Sequence, residues 1–198
     1  MIPTIWGATF WNILHELFYY YPDNTTNEIK NKYKQFIINF QNIIPCETCQ
    51  TNFSKHLLKY PISNKIFLSK NNLLEWSINI HNEVNIMHNK HIYTLNEYIK
   101  EYEEEKRIYG ESNKLKLKIN IIFMIRIITG NYLINNKKDY SRIYFRPFIE
   151  NLIEIIPYED IKIKIKESIK KYPIEKLKNN LEYFKWYKQI EKYILYNA

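Results

Sequence analysis

Two residues in this 198-residue chain can do thiol chemistry, and they stand three apart, in Pro45-Cys46-Glu47-Thr48-Cys49. They are its only cysteines. At the start of a helix the first thiol meets unpaired backbone N–H groups and the positive end of the helix dipole, and both favour a thiolate. One turn on, the second thiol returns to the same face and can close a reducible disulfide. Three chemistries use such a pair: a thioredoxin-like redox centre, half of a zinc site, or a dithiol coupled to a flavin. Zinc needs two further ligands. His56 or His88 would have to serve, and neither has finger-like spacing, so no metal is expected. A thioredoxin-like centre needs βαβ patterning around the pair, which is absent. Two cysteines also exclude a disulfide-dense secreted scaffold, and 3 Gly leave no room for a P-loop or a dinucleotide fingerprint.

The elements that must position this pair read as helices. Apolar residues recur every three or four positions, so the expected fold class is all-α. Helices are expected over Thr4–Tyr21, from a cap at Thr25 or Thr26 to about Ile44, from Pro45 as a first helical residue to Tyr60, from a cap at Ser69 or Asn71 to about His88, and over Leu95–Ile108. Ser63–Leu68 is expected as a loop. Four helices and a short fifth make a small bundle over residues 1–110. The polar stretch Glu111–Lys118 after Gly110 marks the expected boundary of a second helical domain, residues 111–198. Its helices are expected near Leu115–Tyr132, Arg146–Ile156, Tyr158–Tyr172 and Ile174–Tyr196. Lys162, Lys164 and Lys166 alternate with isoleucines, a strand-like period that leaves that segment ambiguous.

Around the thiol pair the first half carries further ordered blocks: Trp6-Gly7-x-x-x-Trp11-x-x-x-His15, and Trp76 followed by His81-Asn82-x-Val84-Asn85, Lys90 and Tyr93. Together with Tyr21-Pro22 and the CxxC, this set resembles the Erv/ALR family of FAD-linked sulfhydryl oxidases, over about residues 5–100. The giant-virus (mimivirus-like) branch is the nearest in character. The resemblance implies an Erv-like helical bundle holding FAD, with electrons passing from a substrate dithiol to Cys46–Cys49, to FAD and to O2, giving H2O2. It implies Cys46 as the outer, substrate-attacking thiol and Cys49 as the flavin-proximal one. It assigns Gly7, Thr9, Trp11, His15, Trp76, His81, Asn82, Asn85, Lys90 and Tyr93 to the cofactor. His81 and Asn85 share a helix face, and their donors are expected to meet flavin or ribose oxygens while Trp76 stacks on a planar group. A homodimer is expected by the same resemblance.

Some residues depart from the family pattern. Ala8 replaces the usual proline after Trp-Gly, Ile78 and Leu95 stand where a structural disulfide is usual, and no second CxxC is present to shuttle electrons. The reductant is therefore expected to be a thiol-containing protein substrate or a small thioredoxin-like relay protein. Met1–Tyr21 has no basic leader, and no apolar run is long enough to span a bilayer, so no membrane association is expected. The host cytoplasm, with packaging in a virion, is the expected location. His56, His88 and His91 are expected to be solvated surface.

Ile, Asn, Lys and Tyr make up 102 residues, a bias that fits AT-rich coding. The formal charge of +8 resides entirely in residues 111–198, the first 110 being neutral. Tyr183, Trp186 and Tyr187 with nearby lysines are residue types that can stack on nucleic acid, but they read better as the core stripe of a last helix. The competing functional class is a redox-inactive Erv-like binding module whose basic C-terminal half engages an acidic partner or nucleic acid.

Overall fold

The computed structural model describes residues 3–110, 112–135, 141–174, 177 and 179–196, and among them there is no strand. The first five helices are α1 Pro3–Tyr19, α2 Asn27–Ile43, α3 Glu47–Lys59, α4 Lys70–Met87 and α5 Leu95–Tyr109. Their starts follow from capping chemistry. Thr26, Ser69 and Thr94 each accept a hydrogen bond from a first-turn N–H through the side-chain oxygen. Thr94 and Glu97 complete a reciprocal capping box. The α3 cap differs from expectation. Cys46 itself is the N-cap, its Sγ accepting from the Cys49 N–H at 3.2 Å, so Pro45 lies before the helix. The segment before α4 includes a short 3-10 turn over Asn64–Phe67 rather than being all loop.

Gly110, at φ 49°, ends α5 in the left-handed region where a side chain is disfavoured. The expected domain boundary at Glu111 lies outside the described residues. Beyond it come α6 Ser112–Asn135, α7 Arg146–Ile155, α8 Glu159–Lys171 and α9 Asn180–Tyr196. The last begins later than expected, and residues 175, 176 and 178 are outside the described set. The ambiguous Lys-Ile segment is helical in α8. Ile161, Ile165 and Ser168 are buried at helical spacing, while Ile163 faces solvent.

The second half packs on the first. α6 lies against α1 on one side and α9 on another, which explains why Leu117, Ile121, Met124, Ile125 and Ile128 are all buried without a narrow apolar stripe. α7 lies against α2, where Phe148 meets Phe36 and Phe40 with ring centroids 5.5 and 6.3 Å away. At the edge of this seam the Tyr158 hydroxyl donates to the Tyr20 hydroxyl at 3.0 Å, and Lys32 pairs with Glu154 at 3.2 Å. Tyr183, Trp186 and Tyr187 of α9 are buried, and the Trp186 indole N–H donates to the Tyr172 carbonyl at 2.7 Å. No helix among the described residues is long and apolar enough to cross a membrane.

Candidate functional site

Cys46 and Cys49 form a disulfide at the N-terminus of α3, with Cα atoms 5.1 Å apart. Both sulfurs are half-buried, but they face different surroundings: Cys49 lines a cavity of about 720 Å³ and Cys46 does not. α1, α3, α4 and the turn after α4 make the walls. From α1 come Trp6, Gly7 and Trp11; from α3, Cys49, Asn52 and His56; from α4, His81 and Asn85; from the turn, Lys90 and Tyr93.

Behind this wall sits a polar pair spanning two helices. Trp11 and His15 are four apart on α1, and Ser77 and His81 are four apart on α4, so each pair shares a face. The Trp11 and His81 rings stack at 4.3 Å with 7° between planes. His15 Nε2 lies 3.0 Å from His81 Nδ1, and His15 Nδ1 lies 3.0 Å from Ser77 Oγ. His15 is fully buried, and that burial, with His81 beside it, holds its pKa well below the usual histidine value. Burial and then the Lys90 charge bring His81 down to about 4. Both rings are therefore neutral at physiological pH.

Several residues assigned to the cofactor from sequence lie elsewhere. Thr9 is two positions from Gly7, about 200° around α1, and does not line the cavity. Trp76 is five positions before His81, about 140° away on α4. Its ring is buried in the core and its indole N–H donates to the Tyr60 carbonyl at 3.0 Å, tying α4 to the end of α3. It does not line the cavity. His15 lies behind His81 rather than in the wall. Asn82 points away from the cavity too. Its side chain takes both hydrogen bonds of Tyr93, giving one to the carbonyl at 2.8 Å and accepting the N–H at 3.0 Å. It thereby fixes the turn that brings Lys90 and Tyr93 to the cavity. Gly7, Trp11, His81, Asn85, Lys90 and Tyr93 do line it.

One wall residue was missed. His56 was read as solvated surface, yet it is 9% exposed and its Nε2 has no partner. Burial, opposed by Glu83, lowers its pKa. Cys49, Asn52 and His56 at i, i+3 and i+7 fall on one face of α3, and that spacing was the available signal. His88 and His91, also read as surface, are exposed but lie at the cavity rim.

A helical bundle whose disulfide-bonded cysteine pair opens one helix beside an aromatic and histidine-walled cavity has the layout of a dithiol set next to a ligand site. The Erv1/Alr family model matches residues 8–104, which hold the cysteine pair, α3, α4 and most of α1, and the chain belongs to that family. A probable FAD-linked sulfhydryl oxidase, R368 of Acanthamoeba polyphaga mimivirus, is 36% identical over 104 residues, 52% of this chain and 73% of the relative. The FAD-linked sulfhydryl oxidase ERV2 of Saccharomyces cerevisiae is 31% identical over 49% of this chain and 48% of its own length. The FAD-linked sulfhydryl oxidase of African swine fever virus (isolate Tick/Malawi/Lil 20-1/1983) is 33% identical over 50% of this chain and 81% of the relative. No solved structure matches the chain.

Proposed function

We propose that this chain is an FAD-linked sulfhydryl oxidase that makes disulfide bonds in thiol substrates and passes the electrons to O2. The observation that carries the reading is the Cys46–Cys49 disulfide set at a helix N-terminus with Cys49 in the wall of a ligand-sized cavity. The wall suits FAD. Two buried nitrogens, Trp6 Nε1 and His56 Nε2, lack partners there. The space beside the Gly7 Cα is open, so the backbone can be approached closely. Lys90 offers a cation for phosphates, and Trp11 and Tyr93 offer rings for planar groups. Gly7, Trp11, His81, Asn85, Lys90 and Tyr93 would hold the cofactor. When bound, FAD supplies a two-electron acceptor that O2 can reoxidise.

The chain's own residues carry the thiol exchange. A substrate thiolate attacks Cys46 Sγ, forming a mixed disulfide and releasing Cys49 as a thiolate beside the cavity. The second substrate thiolate then attacks the substrate sulfur of that bond and releases Cys46. The substrate gains its disulfide and gives up two electrons, now held as the reduced pair. The Cys49 N–H, 3.2 Å from Cys46 Sγ, and the α3 dipole favour the Cys46 thiolate released in the second step.

The reductant is a thiol-bearing protein or a small thioredoxin-like relay that reaches Cys46 directly. Residues 1–110 carry the redox site, and residues 111–198 form a helical module for substrate docking or for shaping a homodimer. Similarity to viral relatives supports a virus-encoded enzyme; work in the host cytoplasm and packaging in the virion are proposed with it. The binding-module alternative has no observation in its favour.

The test is the visible spectrum of the purified protein and its oxygen uptake with dithiothreitol. Bound flavin with thiol-dependent uptake is expected. Cys49→Ser is expected to abolish uptake and keep the flavin. A protein that cannot be loaded with FAD overturns the reading.

A further inference from the structure

The histidine pair behind the cavity has a direction, and its origin is Ser77. The Ser77 hydroxyl donates to the Leu74 carbonyl at 2.7 Å. A carbonyl only accepts, so the single hydroxyl proton is committed there. Toward His15, Ser77 Oγ can therefore only accept, and His15 Nδ1 must carry a proton to make its 3.0 Å contact. His15 is neutral, so its Nε2 is then a lone pair. The 3.0 Å contact from His15 Nε2 to His81 Nδ1 now needs its proton from His81. With His81 neutral as well, its own Nε2 is left unprotonated. That atom is on the ring edge away from His15, no hydrogen bond to it is found among the described residues, and His81 belongs to the cavity wall.

We propose that Ser77 is a positioning residue which, through His15, locks His81 in the Nδ1–H tautomer, so that His81 presents an acceptor to the cavity and selects a ligand group that donates hydrogen. A hydroxyl or a ring N–H satisfies that atom; a phosphate oxygen does not. This reverses the donor role expected of His81 from sequence. It also divides the cavity: the Lys90 side takes anionic oxygens and the His81 side takes donors. The tautomer lock rests on the three contacts that join Leu74, Ser77, His15 and His81 and on both rings being neutral. Its consequence for the ligand rests on the FAD reading above, with FAD carrying both kinds of group.

The lock is tested on the full chain without cofactor. Nitrogen-15 NMR of labelled histidines, assigned with single His→Gln variants, reports which ring nitrogens are protonated. In the wild type, His15 and His81 are both expected to show a protonated Nδ1 and a bare Nε2. Ser77→Ala removes the acceptor for His15 Nδ1–H. A second tautomer of both rings should then appear, with a proton on His81 Nε2. Ser77→Thr keeps the hydroxyl and should restore the wild-type pattern, which separates the lock from a packing effect. FAD affinity measured on the same proteins should fall about 2- to 10-fold in Ser77→Ala, the worth of one hydrogen bond, and recover in Ser77→Thr. A proton on His81 Nε2 in the wild type, or unchanged tautomers in Ser77→Ala, overturns the lock. Switched tautomers with unchanged FAD affinity overturn the selection of a donor. Failure of the wild type to bind FAD overturns the cofactor reading instead, and the NMR pattern still decides the lock.

Discussion

Glu16 follows His15 on α1 and is among the most buried carboxyl groups in the molecule, 5% exposed, with Oε1 lacking a partner. Burial is the main cause that pushes its pKa up, to about 7. Lys116 and Lys106 pull it back, and Glu105 adds to the rise. In the unfolded chain the carboxyl ionises near its ordinary 4.5. Between these values folding takes up a proton, so stability falls as pH rises through the window, and the full cost is present above about pH 7. At roughly 1.4 kcal/mol per pH unit, the displacement is worth about 3 kcal/mol at most. Local relaxation and the two lysines lower the realised figure to about 1–3 kcal/mol.

Glu16→Gln removes the ionisation and keeps the shape. The variant is expected to match the wild type near pH 4 and to exceed it by about 1–3 kcal/mol at pH 8, several degrees in Tm for a chain of this length. Urea unfolding at each pH measures the difference, with equal FAD affinity of the two proteins checked first so that binding contributes equally. The lowered pKa values of His15 and His81 act in the opposite sense, adding stability as pH rises toward 6.5, for His81 from about 4, but they are common to both proteins and cancel. A stability difference that stays constant from pH 4 to 8, or a glutamine variant less stable at pH 8, would refute the reasoning.

Three other outcomes follow from the geometry. Asn82→Ala frees the Tyr93 backbone and leaves two buried groups unpaired, so it should cost about 1–3 kcal/mol in urea unfolding and weaken FAD binding through the loosened turn. Trp76→Phe removes the hydrogen bond to the Tyr60 carbonyl and should lower stability by about 1–3 kcal/mol while leaving the flavin spectrum in place, which separates a core role from a stacking one. Phe148→Ala opens the α2–α7 seam and should cost about 3–5 kcal/mol, seen as one cooperative transition at lower denaturant if the two halves unfold together.

The helices were legible because their signals are local. Thr26 and Ser69 caps, Pro22 and the three-to-four apolar spacing put five helix bodies within a few residues of their observed places. Pro45 misled because a proline before a cap and a proline inside a first turn look alike in sequence; the Cys46 Sγ contact decides between them. The site was legible as a set of blocks but not as a set of walls. A motif says that a residue is tied to the site, while its angle on the helix says how. Trp76, Asn82 and His15 belong to the blocks yet stand behind the cavity, supporting α3, the Tyr93 turn and His81 in turn. His56 had the right angle and no motif. Ser77 carried no signal at all, because its role exists only where α1 and α4 meet.

The second half of the chain bears on the site through α1. One face of that helix gives Trp11 and His15 to α4, an adjoining face puts Glu16 toward α5 and α6, and Tyr20, just past its end, meets Tyr158 at the cap of α8. Tyr98 of α5 touches the His15 ring at 4.8 Å and is raised in pKa by burial and then by Glu16. Lys116 of α6, paired with Glu105 of α5, is the opposing charge that acts most strongly on Glu16. A helix held on every side cannot shift its histidine without moving its glutamate, so α6 fixes the back of the same turn that aims His81 from the front. The part of the chain beyond the family match, residues 105–198, thus supplies the countercharge and packing that keep a neutral histidine pair and a protonatable carboxyl side by side. Replacing Lys116 with methionine should therefore push the Glu16 pKa further up. The pH at which wild-type stability begins to recover on acidification would then move upward, and Glu16→Gln should abolish that movement.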